Sequence, residues 1–301
     1  MIRTLLRAGV ILALITSTAA AQRPQPPQPP DQPMSAEAFA LYSRFFDYDN
    51  TLPLNARTIT RVDSATFIRE KFAFDGWRSS RVPGLIALPK TSAARHPVIV
   101  LIDGIGGWKE RWWQRESWNR GRVLIDSLLA ANYAVVMIDA PLSGERSAEN
   151  DFVSAETLLS KPAQLRDLTL QAAIEHRRLL DYLATRADVD TARIGVLGLS
   201  LGGMITFYLG ALEPRLKAGI AGLTPAQLIP AMLWPGHFAG RERIPLLMLM
   251  GRTDAFYTQP QAEQIFTLIP TQKDIVWYDV GHRLPEQYAG AAATWFRRFL
   301  H

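Results

Sequence analysis

The segment Gly198-Leu199-Ser200-Leu201-Gly202 sets one hydroxyl between two glycines, where an apolar run (Arg193 to Gly198) gives way to helix formers (Leu201 to Leu212). A turn from buried strand straight into helix holds its central residue in a strained backbone conformation with the side chain exposed, and leaves room only for glycine on either side. The helix start adds free N–H groups and partial positive charge where negative charge would develop. Ser200 therefore reads as a nucleophile. A neutral serine needs a base, usually an imidazole oriented by a carboxylate.

Five histidines are available. His282, in Asp-Val-Gly-His-Arg-Leu-Pro, follows the last expected strand and would emerge at the same carboxyl edge of the sheet as Ser200. His96 precedes a strand, His176 lies mid-helix and His301 ends the sequence, so these read as structural or solvated. His237, in Trp-Pro-Gly-His-Phe, is the weaker candidate for the base and could line a pocket. For the carboxylate, Asp254 follows the apolar run Pro245 to Met250 and gives the chain order Ser, Asp, His; Asp279 is the runner-up.

These residues need a scaffold that gathers the ends of several strands. Apolar runs without polar alternation, at 98–102, 134–139, 193–198, 216–222, 245–250 and 274–279, alternate with longer helical stretches, the clearest at 163–185. That pattern predicts an α/β fold with a mostly parallel central sheet covered by helices on both faces. Ahead of it, Thr66 to Phe74 and Val82 to Pro89 read as an antiparallel hairpin. Ser35 to Phe46 reads as a short amphipathic helix packed on the domain.

With 301 residues and 48% hydrophobic side chains, the chain can bury a full core. Residues 34–301 are expected to form a single domain, with a small apolar cap at 223–243. Arg3 and Arg7 precede an apolar stretch, and Ala19 and Ala21 have signal-peptidase spacing, so residues 1–21 read as an export signal. The stretch is shorter than the roughly 18 residues that span a bilayer, so no stable membrane anchor is expected after cleavage. Residues 22–33 are proline-rich and read as an extended linker, and the expected location is the periplasm or the outside of the cell.

The formal net charge of +5 is small and scattered, which excludes a nucleic-acid footprint. There is no cysteine, hence no thiol nucleophile and no lipidated N-terminal cysteine. No histidine or carboxylate spacing suggests a metal, no glycine loop suggests a nucleotide, and no cofactor is expected.

Around the serine the sequence resembles an α/β-hydrolase, and more narrowly the bacterial esterases grouped with dienelactone hydrolases and acetyl xylan esterases. The resemblance is carried by the hairpin at 75–90, Asp-Gly-Ile-Gly-Gly-Trp-Lys-Glu at 103–110, Asp-Ala-Pro-Leu-Ser-Gly-Glu-Arg-Ser at 139–147, the approach to Ser200 at 188–203, and Gly-His-Arg-Leu-Pro at 281–285. It implies a small-molecule ester substrate, an acyl-enzyme intermediate and an oxyanion hole formed by the N–H groups of Ile105 and Leu201. A peptidase or amidase of the same fold, or a binding protein that kept the fold without activity, are the alternatives. One departure stands out: Asp103 occupies a place where these enzymes usually carry histidine. It is expected to pin its loop by accepting backbone N–H bonds. Four tryptophans crowd the sequence after that loop, with Trp108 expected nearest the substrate, and Trp234 and His237 are the other expected pocket residues.

Overall fold

The computed structural model describes residues 30–149 and 158–301. The expected export signal at 1–21 and most of the linker at 22–33 lie outside these residues. The described chain builds one nine-stranded sheet in the order β1-β2-β3-β5-β4-β6-β7-β8-β9. The strands are β1 (Arg57–Asp63), β2 (Phe67–Asp75), β3 (Arg81–Pro89), β4 (His96–Ile102), β5 (Ala134–Ile138), β6 (Val189–Leu199), β7 (Leu216–Gly222), β8 (Leu246–Gly251) and β9 (Lys273–Tyr278). β1, β2 and β3 pair antiparallel, as do β3 and β5, and the remainder of the sheet is parallel.

The apolar runs lack polar alternation because both faces of the sheet are covered. In β4, Val98, Val100 and Ile102 join one core layer, whereas Ile99 and Leu101 join the other. The first layer is closed by the helices Pro162–Ala184, Leu201–Leu212 and Gln259–Leu268, the second by Gly121–Ala130 and Tyr288–Phe299. Pro162 opens its helix at the position where a missing N–H costs nothing. β1 is not among the elements expected from the sequence: all seven residues are exposed, so it carries no apolar run and is held as an edge strand by its ladder to β2.

The N-terminal helix Ala36–Ser43 starts at Ser35, whose hydroxyl accepts the Ala38 N–H. Phe39, Tyr42 and Phe46 pack their rings on Phe238, and Arg241 lies 4.1 Å over Phe39. The partner surface belongs to residues 223–243. Leu233, Trp234, Phe238 and Ala239 are fully buried in the core.

This topology fixes where chemistry can occur. β5 lies on one side of β4 and β6 on the other, so the connections leaving β4 and β6 diverge and open a crevice at their carboxyl ends. Gly198 is in register with Ile102 of β4 and Ala221 of β7, and Gly251 of β8 with Tyr278 of β9. The loops after β4, β6, β8 and β9 therefore share one rim.

Candidate active site

Ser200 sits at the first turn after β6 with φ 58° and ψ −119°, a left-handed conformation that side chains other than glycine rarely adopt. Such a conformation costs about 1–3 kcal/mol and persists only where its surroundings enforce it. Here the Ser200 N–H donates to the Gly222 carbonyl at 2.9 Å. A Cβ on Gly198 would stand 1.9 Å from the Gly202 carbonyl oxygen, and one on Gly202 would stand 2.1 Å from that of Ile102. The flanking glycines are required because strand, turn and helix pass this close to one another and to the end of β4.

His282 follows β9 and reaches back to the serine. Its Nε2 lies 2.8 Å from Ser200 Oγ and its Nδ1 lies 2.8 Å from Asp254 Oδ2. A carboxylate only accepts, so the Nδ1–H donates to Asp254 and Nε2 is left to accept the serine proton. Asp254 itself is held by the Phe256 N–H, which donates to Oδ1 at 2.9 Å, and its side chain is fully buried. Asp279, the other candidate carboxylate, points into solvent and pairs with Arg252. Two aromatic rings hold the imidazole: Trp118 lies parallel to it at 5.8 Å, and Phe256 is tilted at 4.5 Å.

Ile105 and Leu201 both line the cavity into which Ser200 opens. Leu201 is the first residue of its helix, so its N–H has no intrahelical acceptor. Asp103 pins the neighbouring loop: Oδ1 accepts the Gly104 N–H at 2.8 Å and Oδ2 accepts Arg111 Nε at 2.5 Å. Burial pushes the Asp103 carboxyl above its ordinary value, while Arg111 and the Gly104 N–H pull it back. The guanidinium of Arg111 in turn lies over Trp108 at 4.6 Å and Trp118 at 5.7 Å.

The loops after β4 and β5 are joined by a second buried group. Lys109 Nζ donates to Asp139 Oδ2 at 2.9 Å and to Glu145 at 2.5 Å, and both Lys109 and Asp139 side chains are wholly excluded from solvent. Burial disfavours the ammonium, but the bonds from Glu145 and Asp139 outweigh it and hold the Lys109 pKa above its usual value.

The structure thus brings together Ser200, His282, Asp254, Ile105 and Leu201. It does not bring Trp108, Trp234 or His237 to the cavity. Trp108 is turned to Arg111. Trp234 is buried in the core, and its ring fills the space beside Gly236. His237 is fixed as a structural link, its Nδ1 accepting the Met34 N–H and its Nε2 donating to the Ala231 carbonyl, each at 3.1 Å. The rings that do flank the imidazole, Trp118 and Phe256, carry weaker signals in the sequence: one sits within a tryptophan cluster, the other two residues after Asp254. Among the described residues, no group of three or more histidines or carboxylates is arranged to hold a metal ion, and no helix is long and apolar enough to cross a membrane.

Comparisons with known proteins bear on family and fold. An Escherichia coli K12 protein bearing the name carboxymethylenebutenolidase is 27% identical over 237 residues, which cover 74% of this chain and 82% of that protein. A Bacillus subtilis strain 168 protein named as the hydrolase YtaP is 24% identical over 183 residues; the match covers 59% of this chain and 60% of the length of that relative. The crystallised acetyl xylan esterase from Paenibacillus sp. R4 superposes with a TM-score of 0.71 at 17% identity, covering 90% of this chain and 97% of that one, and so shares its fold. The Dienelactone hydrolase family matches residues 82–293, from the hairpin to the last helix. On the strength of that match and this fold, the chain belongs to the dienelactone hydrolase family, within the α/β-hydrolases.

Proposed function

We propose that the chain is a serine hydrolase that cleaves carboxylic esters through an acyl-enzyme. The observation that carries this reading is the continuous hydrogen-bonded line Ser200 Oγ, His282 Nε2, His282 Nδ1, Asp254 Oδ2, with 2.8 Å at each link between residues. Ser200 Oγ attacks the ester carbonyl carbon as its proton passes to His282 Nε2. Asp254 stabilises the imidazolium that forms and keeps Nδ1 protonated. The carbonyl oxygen, now negative, takes the N–H groups of Ile105 and Leu201, preorganised donors of which each is worth about 3–4 kcal/mol. His282 then protonates the departing alcohol oxygen. Water, deprotonated by the same nitrogen, attacks the acyl carbon, and collapse of that intermediate returns the proton to Ser200 and releases the acid.

Membership of a family with relatives named for lactone and acetyl ester cleavage supports an ester substrate. The export reading of residues 1–21 makes the periplasm or the medium the place of action; it rests on Arg3, Arg7, the apolar stretch and the spacing of Ala19 and Ala21. The proposal is tested with a fluorophosphonate label and a simple ester on the full chain. Covalent labelling mapped to Ser200, with ester turnover abolished in the labelled protein, is the expected result. An unlabelled protein that still hydrolyses the ester would place the chemistry elsewhere. N-terminal sequencing of protein from the cell envelope or medium should begin at Gln22 if the export reading holds.

A further inference from the structure

The cavity beside Ser200 has a volume of about 160 Å³. An enclosed apolar space of roughly 150 Å³ is enough to take up a benzene ring. His282 must face the alcohol oxygen it protonates, which puts the alcohol on the side of the cavity near Trp118 and Phe256, the rings that flank the imidazole. The acyl group then occupies the other end. That end is aliphatic: Leu159 and Leu165 come from the segment that enters the long helix, Met204 lies one turn beyond Ser200, and Pro225 and Ile229 come from the connection after β7. Among the described residues, the wall contains no lysine, arginine, aspartate or glutamate. Arg111 bonds Asp103 through Nε and is not part of the wall. A larger groove of about 460 Å³, bounded by Phe45, Trp77 and Gln171, does not include Ser200.

Resting on the serine-hydrolase reading, we propose that this site selects an uncharged acyl group of up to about six carbons, branched or aromatic, and refuses acyl groups that bear a carboxylate. Apolar walls gain free energy for each methylene removed from water, which favours filling the cavity over acetate. An anion in the same space would lose its hydration with no partner to replace it. The proposal separates this chain from relatives named for a substrate with a carboxymethylene group.

The decisive measurement is kcat/KM of the wild-type chain on methyl esters, followed by acid release. From acetate towards hexanoate it should rise roughly four-fold per methylene and then fall as the cavity is overfilled. Methyl 4-methylpentanoate and monomethyl succinate have nearly the same shape and differ in charge; the former should be favoured at least about 100-fold. Equal rates for this pair, or acetate as the best substrate, would overturn the proposal while leaving Ser200 as nucleophile. Leu159→Arg, checked for folding by its circular dichroism, should improve succinate relative to 4-methylpentanoate by roughly ten-fold or more. An unchanged ratio in that folded variant would remove Leu159 from the acyl end and count against the assignment. No turnover of any ester, with no label on Ser200, would overturn the serine reading and this proposal with it.

Discussion

Two flanks of one rim handle charge in opposite ways. On the flank built by the loops after β4 and β5, every buried charge met above has a fixed counter-charge: Asp103 with Arg111, and Lys109 with Asp139 and Glu145. On the flank built by the loops after β8 and β9, the buried carboxylate of Asp254 faces an imidazole and a backbone N–H. Its counter-charge arrives only when His282 takes a proton. A flank whose charges are already paired can hold a backbone in place at any stage of a reaction. A flank with one charge waiting can favour the stage at which the second appears. Position and reactivity are thus divided between neighbouring loops.

The contrast predicts which substitutions damage turnover and which damage the fold. The largest effect is expected from Ser200→Ala or His282→Ala, each lowering kcat roughly 10⁶-fold with little change in thermal midpoint. Asp254→Asn should lower kcat roughly 10⁴-fold, because an amide can hold the wrong imidazole tautomer. Asp279→Asn, on the exposed carboxylate, should leave rates as they are, and similar losses for the two would break the comparison.

On the flank with paired charges, Lys109→Met should destabilise the protein by about 3–5 kcal/mol in urea unfolding, since it strands the buried Asp139 charge. Arg111→Met should lower kcat roughly 10²-fold with KM nearly constant, a loss of about 3 kcal/mol attributed to the oxyanion loop. Adding Asp103→Asn to it should restore part of that loss, whereas independent additive effects would show that the pair does not act as a unit.

The smallest effect tests an imidazole with no charge waiting for it. His176, fully buried in the long helix, donates Nδ1–H to the Ala172 carbonyl, and burial lowers its pKa to about 4. The unfolded chain then binds the proton more readily than the folded one, so the stability from neutral His176 is present above about pH 6.5 and is lost as pH falls towards 4. Between pH 7 and pH 5 the loss is about 2 kcal/mol. His176→Leu should flatten the pH dependence of unfolding by that amount, and an unchanged slope would show that the histidine titrates freely.

How far these features could be read in advance depends on the range of the forces behind them. The strands β4 to β9 and the helix Pro162–Ala184 are legible because their periodicity is local and their burial is on both faces or along one stripe. β1 is not, since an exposed edge strand is held by backbone pairing that leaves little trace in side-chain polarity. At the site, Ser200 announces itself through the glycines that the close passage of backbones demands. The expectation that Asp103 pins its loop agrees with its Gly104 bond, but Arg111 as its counter-ion does not follow from the sequence order. The pocket expectation failed where it relied on residue type: Trp234 and His237 have pocket-like chemistry, yet Trp234 is buried in the core and His237 is tied to Met34 ahead of the N-terminal helix.

The sequence by itself determined the order of strands and helices, the strained turn and the short set of groups able to do acid–base chemistry, because each follows from the local conformational limits of the backbone. The tertiary structure alone decided which carboxylate faces His282, which aromatic rings flank it and what fills the acyl end of the cavity. These include contacts between segments 82 residues apart in the chain, such as Ser200 and His282, and they are set by how separate loops pack over one rim.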